Sequence, residues 1–429
     1  MYKIGETTGI CSICEEKVKA DIYQRNGKVI IETKCVQHGK KISEHIWDDP
    51  EIYKNFIRCK TLKAEPAQTA VILTYKCNLN CPICLADANK LKFDDFKKKN
   101  LSKIHEGQTV LLTGGEPTVR KDLPKIISHL KKEKKRVVLL SNGVKLANMS
   151  YTLKLKRAGL NGVRLQFDAT DDKDNLYIRG KKLFEIKKRA VKNLERLEIP
   201  VILCSVIIKK NIKSVQKLFN FAFKHSNIRS VSVNPLWKLG RYKENDFVAS
   251  SDIIKKVSRI FNLRKKDWID STIFLTNLDK LLSFFFQRKR YFCKCNIKFI
   301  FIRDRKTVIP ITRIFDIQKI NNKIESAYSK QSRIEVALFF LYFIISQIIF
   351  NFLKNRHFRL LVLKVTLNLK NIFKKNFFFR YIFYSISVES FMTKENFDFN
   401  VSQDCNLNGL SPENSSLKPA CLNRLNLTK

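Results

Sequence analysis

The stretch YKCNLNCPICLADAN, residues 75–89, sets Cys77, Cys81 and Cys84 within eight residues, with gaps of three and then two. Four thiolates saturate a tetrahedral zinc or complete an iron–sulfur cluster. Three on one loop hold three irons of a four-iron cluster and leave the fourth open to a cofactor or substrate. Taken alone, the triplet also fits a zinc ion with a distant fourth ligand, or a cluster used only for electron transfer.

The flanking sequence has a rhythm. AVILTY (70–75) precedes the triplet, and TVLLTGGEP (109–117), RVVLLSNG (136–143), GVRLQFDAT (162–170), PVILCSVII (200–208) and RSVSVNP (229–235) follow. Amphipathic stretches such as RKDLPKIISHLKKEKK and KKLFEIKKRAVKNLERLE lie between them. Short apolar runs alternating with helical periodicity predict repeated βα units around a buried parallel sheet. Six such runs fall short of a closed eight-stranded barrel. The expected class is α/β: a partial (βα)6 barrel or an open parallel sheet. Its active groups belong at the carboxyl ends of the strands. The cysteines sit there after the first strand, Gly114, Gly115, Glu116 and Pro117 after the second, and Ser141 and Asn142 after the third.

These motifs, in this order, resemble those of the radical S-adenosylmethionine (SAM) enzymes. The resemblance implies a [4Fe-4S] cluster on Cys77, Cys81 and Cys84 whose open iron takes the amino and carboxylate groups of SAM. It implies reductive cleavage of SAM to a 5′-deoxyadenosyl radical that abstracts hydrogen from substrate, with an electron from a carrier such as ferredoxin or flavodoxin. GGEP in that family contacts the methionyl amino group, and its glycines let backbone approach the ligand. By position, Asn142, Asp168 and Arg241 are candidates for the SAM ribose or carboxylate; each is equally a turn or cap residue.

Within the superfamily, TGICSICEEKVKADIYQRNGKVIIETKCVQHGK, LQFDAT, VNPLWKLGRY, TVIPITRIFDI and SFMTKENFDFN resemble segments of the tetraether lipid synthase group. That implies a hydrophobic, lipid substrate, with carbon–carbon coupling or methylation as outcome. Those relatives carry a mononuclear metal centre and auxiliary clusters. Here the second cysteine-rich segment before the SAM motif is reduced to Cys59, so one auxiliary cluster is expected to be missing. Cys295, Cys405 and Cys421 are candidate ligands of another; free thiols are the alternative.

Residues 1–60 are expected to be a separate metal-binding module. Cys11 and Cys14, and Cys35 and His38, flank a hairpin whose Asn26-Gly27 is a strong turn signal. Two such knuckles make a closed site for one zinc or iron, with His38 or Cys59 as its last ligand. The core is expected over 61–245, its continuation over 246–330, and a mainly helical, basic and apolar region over 331–429. Cys204, inside the fifth strand, reads as a small buried apolar residue.

The chain carries 82 Lys+Arg against 39 Asp+Glu, a net charge of +43. That favours a polyanionic neighbour, an anionic membrane surface or nucleic acid; a lysine-rich codon bias explains it equally. The apolar run VALFFLYFIISQIIFNFL (336–353) is followed by a basic, Phe-rich segment that suits a membrane surface. The amino terminus lacks the apolar core of a signal peptide. A cytoplasmic protein, peripheral at the inner membrane face, is therefore expected. The alternatives are a radical SAM enzyme modifying RNA or a peptide, and a non-enzymatic metal-stabilised nucleic-acid-binding protein; GGEP and SNG have no use in the latter.

Overall fold

The computed structural model describes residues 1–58, 68–90, 101–102, 104, 108–237, 240–242, 246–286, 295–304, 307–329, 383–402, 407–410 and 418–419. The amino-terminal module is a four-stranded antiparallel sheet: β1 (Tyr2–Ile10), β2 (Lys17–Arg25), β3 (Lys28–Cys35) and β4 (Gly39–Glu44). Asn26 and Gly27 both take positive φ, 49° and 73°, which the tight turn between β2 and β3 requires. Helix α1 (Pro50–Arg58) follows.

The six apolar runs form consecutive parallel strands: β5 (Gln68–Ile72), β6 (Thr109–Thr113), β7 (Arg136–Ser141), β8 (Gly162–Gln166), β9 (Val201–Ile207) and β10 (Ile228–Pro235). The crossovers include α2 (Leu123–Lys132), α3 (Met149–Ala158), α4 (Asp172–Arg179), α5 (Phe184–Arg196) and α6 (Val215–Lys224). Helix α2 buries Leu123, Ile126, Ile127 and Leu130, the i, i+3, i+4, i+7 stripe of an amphipathic helix on a sheet. Further on come α7 (Ser250–Phe261), α8 (Lys265–Phe286), β11 (Asn296–Asp304), β12 (Thr307–Pro310) and α9 (Ile317–Ser329).

The sheet is wider than six strands. β13 (Phe383–Glu389) pairs parallel with β10, β11 runs antiparallel to β13, and β14 (Leu407–Leu410) pairs parallel with β5; β15 (Lys418–Pro419) completes eleven strands. The expected helical character of 331–429 falls mostly on residues outside the described ones, as do the 336–353 run and the basic aromatic segment after it. The described part of that region supplies strands to the sheet, β13 between β10 and β11 and β14 with β15 at the opposite edge. It also clasps the amino-terminal module: the Asp398 carboxylate accepts from Thr7 Oγ1 at 2.5 Å and from buried His45 at 3.3 Å. Among the described residues no helix is long and apolar enough to cross a membrane.

Strand alternation sorts the side chains. Val163, Leu165 and Phe167, then Val201, Leu203 and Ile207, join the hydrophobic core with Ala190, Val191, Leu194 and Phe219 of the helical layer. The residues between them face the concave side. In register there stand Gln166, Cys204, Ser232 and Ser387, one from each of four adjacent strands.

Candidate active site and metal centre

The loop after β5 is a close-knit turn. Asn89 Oδ1 accepts from the Cys77 amide at 2.8 Å and its Nδ2 donates to Leu79 O at 3.2 Å. The amides of Leu79 and Ala88 point at the Cys77 and Cys84 sulfurs, at 3.4 and 3.3 Å. None of the three cysteines is in a disulfide. Among the described residues they do not converge with other His, Cys or carboxylate groups as single-ion ligands would. Burial pushes the Cys77 thiol up to about 11, so a bound cation is needed to hold it as thiolate.

The GGEP loop packs on this turn. Gly115 N donates to Thr74 O at 2.8 Å and Glu116 N to Lys76 O at 2.9 Å. Glu116 is buried, and its carboxylate accepts from Thr118 N (3.1 Å), Thr118 Oγ1 (2.6 Å), Ser141 Oγ (2.9 Å) and Asn142 N (2.7 Å). Burial pushes this carboxyl up against those four donors. Glu116 thus braces the end of β6 against the end of β7, a role sequence reasoning missed. Pro117, at the first position of the following turn, has no amide hydrogen to satisfy. Asn142 Nδ2 donates to Asn78 Oδ1 at 2.8 Å and lies 3.9 Å from the Cys77 sulfur, so Ser141 and Asn142 reach the cysteine loop.

Arg241 and Asp168 stand elsewhere than a free ligand contact. The Arg241 guanidinium pairs with Asp87 at 2.8 Å, reaches Cys81 O at 3.2 Å and also bonds Asn80 and Ala88. It clamps the cysteine loop from outside. Asp168 is buried and receives Arg179 Nε at 2.8 Å, Arg179 Nη2 at 2.9 Å and Val206 N at 2.9 Å. Burial would push its carboxyl up, but Arg179 and Lys187 hold it below the usual range. Arg179 also interacts with the Cys81 sulfur, which makes it a site residue the sequence reading passed over. Its signal was a basic side chain closing a helix beside the acid that ends β8.

In the amino-terminal module the ligand atoms of Cys11, Cys14, Cys35 and His38 all lie within 4.8 Å of one another. His38 Nδ1 is 3.6 Å from Cys11 Sγ and 3.4 Å from Cys35 Sγ, and Cys14 Sγ is 3.8 Å from Cys35 Sγ. The structure therefore places His38 in the set; Cys59 lies outside the described residues. Cys295 is buried in the hydrophobic core, and its candidate partners Cys405 and Cys421 lie outside the described residues. Cys204 is half-buried on the concave face beside Arg164, a polar setting in place of the expected apolar one.

A profile of the Radical SAM superfamily matches residues 71–222, and one described as the HMPTM N-terminal zinc ribbon domain matches residues 3–48. The 7,8-dihydro-6-hydroxymethylpterin dimethyltransferase of Methanocaldococcus jannaschii is 30% identical over 363 residues, covering 73% of this chain and 71% of that one. The chain belongs to the radical SAM superfamily. Two further relatives match shorter stretches. The Fe-coproporphyrin III synthase of Methanosarcina barkeri is 28% identical over 155 residues, 34% of this chain and 39% of that one. A probable GTP 3′,8-cyclase of Sulfolobus acidocaldarius is 31% identical over 182 residues, 41% of this chain and 57% of that one.

A radical SAM enzyme uses a [4Fe-4S] cluster and SAM, and the cysteine loop fits that cluster. It offers three unpaired thiols, amide donors aimed at two of the sulfurs, and a buried arginine beside the third. Removing the ribbon's metal is expected to be structural in effect. A closed Cys/His set contributes folding energy and no chemistry. Cys35→Ala should lose one metal equivalent and several degrees of melting temperature while the cluster's absorbance persists. Equal metal content and melting temperature in the variant would refute the site.

Proposed function

We propose that the protein is a radical SAM methylase acting on a small nitrogen heterocycle of the pterin type. The similarity to the dimethyltransferase covers 73% of this chain, and the HMPTM ribbon profile matches beside that of the superfamily; together they support the reaction class. One observation carries the substrate class: the polar half of the concave face. On β5 to β7 it carries Ala70, Ile72, Leu111, Val138 and Leu140, with Thr109 and Thr113 among them, whereas on β8, β9, β10 and β13 it carries Arg164, Gln166, Cys204, Ser230, Ser232, Asn234, Ser385, Ser387 and Glu389, with Ile202 and Val206 among them. A lipid hydrocarbon lying there would strip water from polar groups without pairing them. A flat ring with a polar edge satisfies both halves. Pterins and guanine, named in two of the relatives' substrates, share such an edge, the 2-amino-4-oxopyrimidine pattern.

When bound, the cluster supplies the electron that cleaves SAM and so permits hydrogen abstraction from an unactivated carbon. This chain's part is to hold and orient. Cys77, Cys81 and Cys84 ligate, Arg241 and Asn89 fix their loop, and Glu116 locks the two strand ends behind it. A one-electron carrier such as ferredoxin or flavodoxin supplies the reductant.

The test is anaerobic incubation of reconstituted protein with SAM, reductant and one of three substrates: deuterated 7,8-dihydro-6-hydroxymethylpterin, GTP or extracted membrane lipid. Deuterium passing from the pterin into 5′-deoxyadenosine is expected. Transfer from lipid alone would sink the pterin reading and favour the tetraether-like one.

A further inference from the structure

Lys187 stands near the start of α5, and its side chain is fully buried. Lysine is almost never buried so completely unless it is paired, because its ammonium group loses its water. Lys187 has no carboxylate to itself. Its Nζ donates to Gln166 Oε1 at 2.9 Å and lies 3.9 Å from Asp168 Oδ2. Asp168 already receives two bonds from Arg179, and Gln166 Nε2 donates to the same carboxylate. Two cations thus share one buried anion just beyond the end of β8.

Two other cations of the site are matched, Arg164 by Glu389 and Arg241 by Asp87. Glu116, the remaining buried acid, acts on Cys77. The set of Asp168, Arg179 and Lys187 keeps one positive charge in excess, and at its end Arg179 adjoins the Cys81 sulfur. Burial, with Arg179 beside it, pulls Lys187 down to about 8, against Asp168 and Cys81, which hold it up. A surplus buried charge is destabilising unless a counter-charge meets it, and for bracing alone a methionine would fill the same space at less cost. Three thiolates and the cluster they hold supply that counter-charge.

We infer that Lys187 raises the reduction potential of the cluster held by Cys77, Cys81 and Cys84, acting through Asp168 and Arg179. It touches neither cluster nor cofactor, and so is a positioning residue. Its effect falls on one step, the transfer of a single electron from the carrier, in which no bond forms or breaks and the cluster gains one negative charge. A fixed cation nearby stabilises the more negative state. Net charge and hydrogen bonds to the sulfurs are the means by which a protein sets such potentials. Lys187 supplies the first directly. It also offsets part of the Asp168 charge, so that Arg179 presents more of its own to Cys81. The inference does not depend on which substrate is bound.

The test is a redox titration of the anaerobically reconstituted full chain, read by electron paramagnetic resonance of the reduced cluster. Lys187→Met removes the charge and leaves the Asp168–Arg179 pair whole. Lys187→Gln also keeps a polar contact for Gln166, and decides the matter if the methionine variant does not fold. In either, the ratio of reduced to oxidised cluster at a fixed poise should fall roughly tenfold, about 59 mV for one electron, as expected for a unit charge at roughly 10 Å under an effective permittivity of ~20. Lys187→Arg keeps the charge and should stay close to wild type. Iron content should match wild type in each. A wild-type potential in a neutral variant overturns the inference, as does a potential in Lys187→Arg as low as in the neutral ones. Loss of the cluster in all three variants would also overturn it, since Lys187 would then only brace α5 against β8.

Discussion

Replacing Cys77, Cys81 and Cys84 together by alanine is expected to reduce SAM cleavage to background and to remove four irons' worth of absorbance. The ribbon's single metal should stay. The two sites separate because their geometry differs. Cys11, Cys14, Cys35 and His38 crowd their ligand atoms within 4.8 Å, the spacing of one ion, and the loop cysteines do not join such a set. Nothing else described takes over: Arg179 and Asn142 approach the sulfurs but carry no ligand atom suited to iron. Iron and sulfide analysis of wild type and variant, with 5′-deoxyadenosine measured by chromatography, gives the comparison. A variant that keeps its iron and still cleaves SAM would show that the cluster lies elsewhere. A variant that loses all metal, the ribbon's included, would show that the two modules fold as one, coupled through the Asp398 contacts with Thr7 and His45.

Much of this site was legible before any coordinates. The triplet, GGEP and SNG each end an apolar run, and each run is a strand whose ends lie within four residues of the reading. What stayed hidden was which face a residue points to. GVRLQFDAT reads as one continuous apolar strand, yet Arg164 and Gln166 alternate with Val163 and Leu165 and carry the polar wall. Burial on both faces masks that alternation, since the concave face of a half-barrel is interior without being apolar. β13 was missed for a related reason. FYSISVE alternates with period two, but it follows a long Phe- and Lys-rich stretch whose composition suggested helices. Its pairing with β10 is long-range and leaves no local mark. Glu116 and Arg179 illustrate a third limit. Sequence position shows that a charged residue stands near a strand end; only the partners show whether it faces a ligand or braces the scaffold.

Gly115→Leu is expected to lose the cluster along with SAM binding. The sequence reading assigned this glycine to ligand approach, which would spare the cluster. The structure gives it a different neighbour. A Cβ on Gly115 would sit 2.5 Å from Lys76 O and 2.8 Å from Tyr75 O, closer than real Cβ atoms come. Both atoms are backbone, so no rotamer relieves the clash, and Lys76 is the residue before Cys77. The cysteine loop itself must move, and with it the hydrogen bonds from Gly115 N and Glu116 N that seat it. Overpacking a tight site by one or two methylenes costs about 1–3 kcal/mol, and leucine adds more than that. Gly115→Ala should therefore fall between wild type and leucine in iron content. Gly27→Ala serves as the contrast: its φ of 73° disfavours a side chain, but nothing lies within 4 Å of its Cβ. It should cost about 1–2 kcal/mol of stability and leave the cluster alone. Iron content, SAM affinity and melting temperature across the three variants resolve the matter. A Gly115→Leu protein with full iron and native SAM affinity would mean that the GGEP loop does not support the cysteine loop at all.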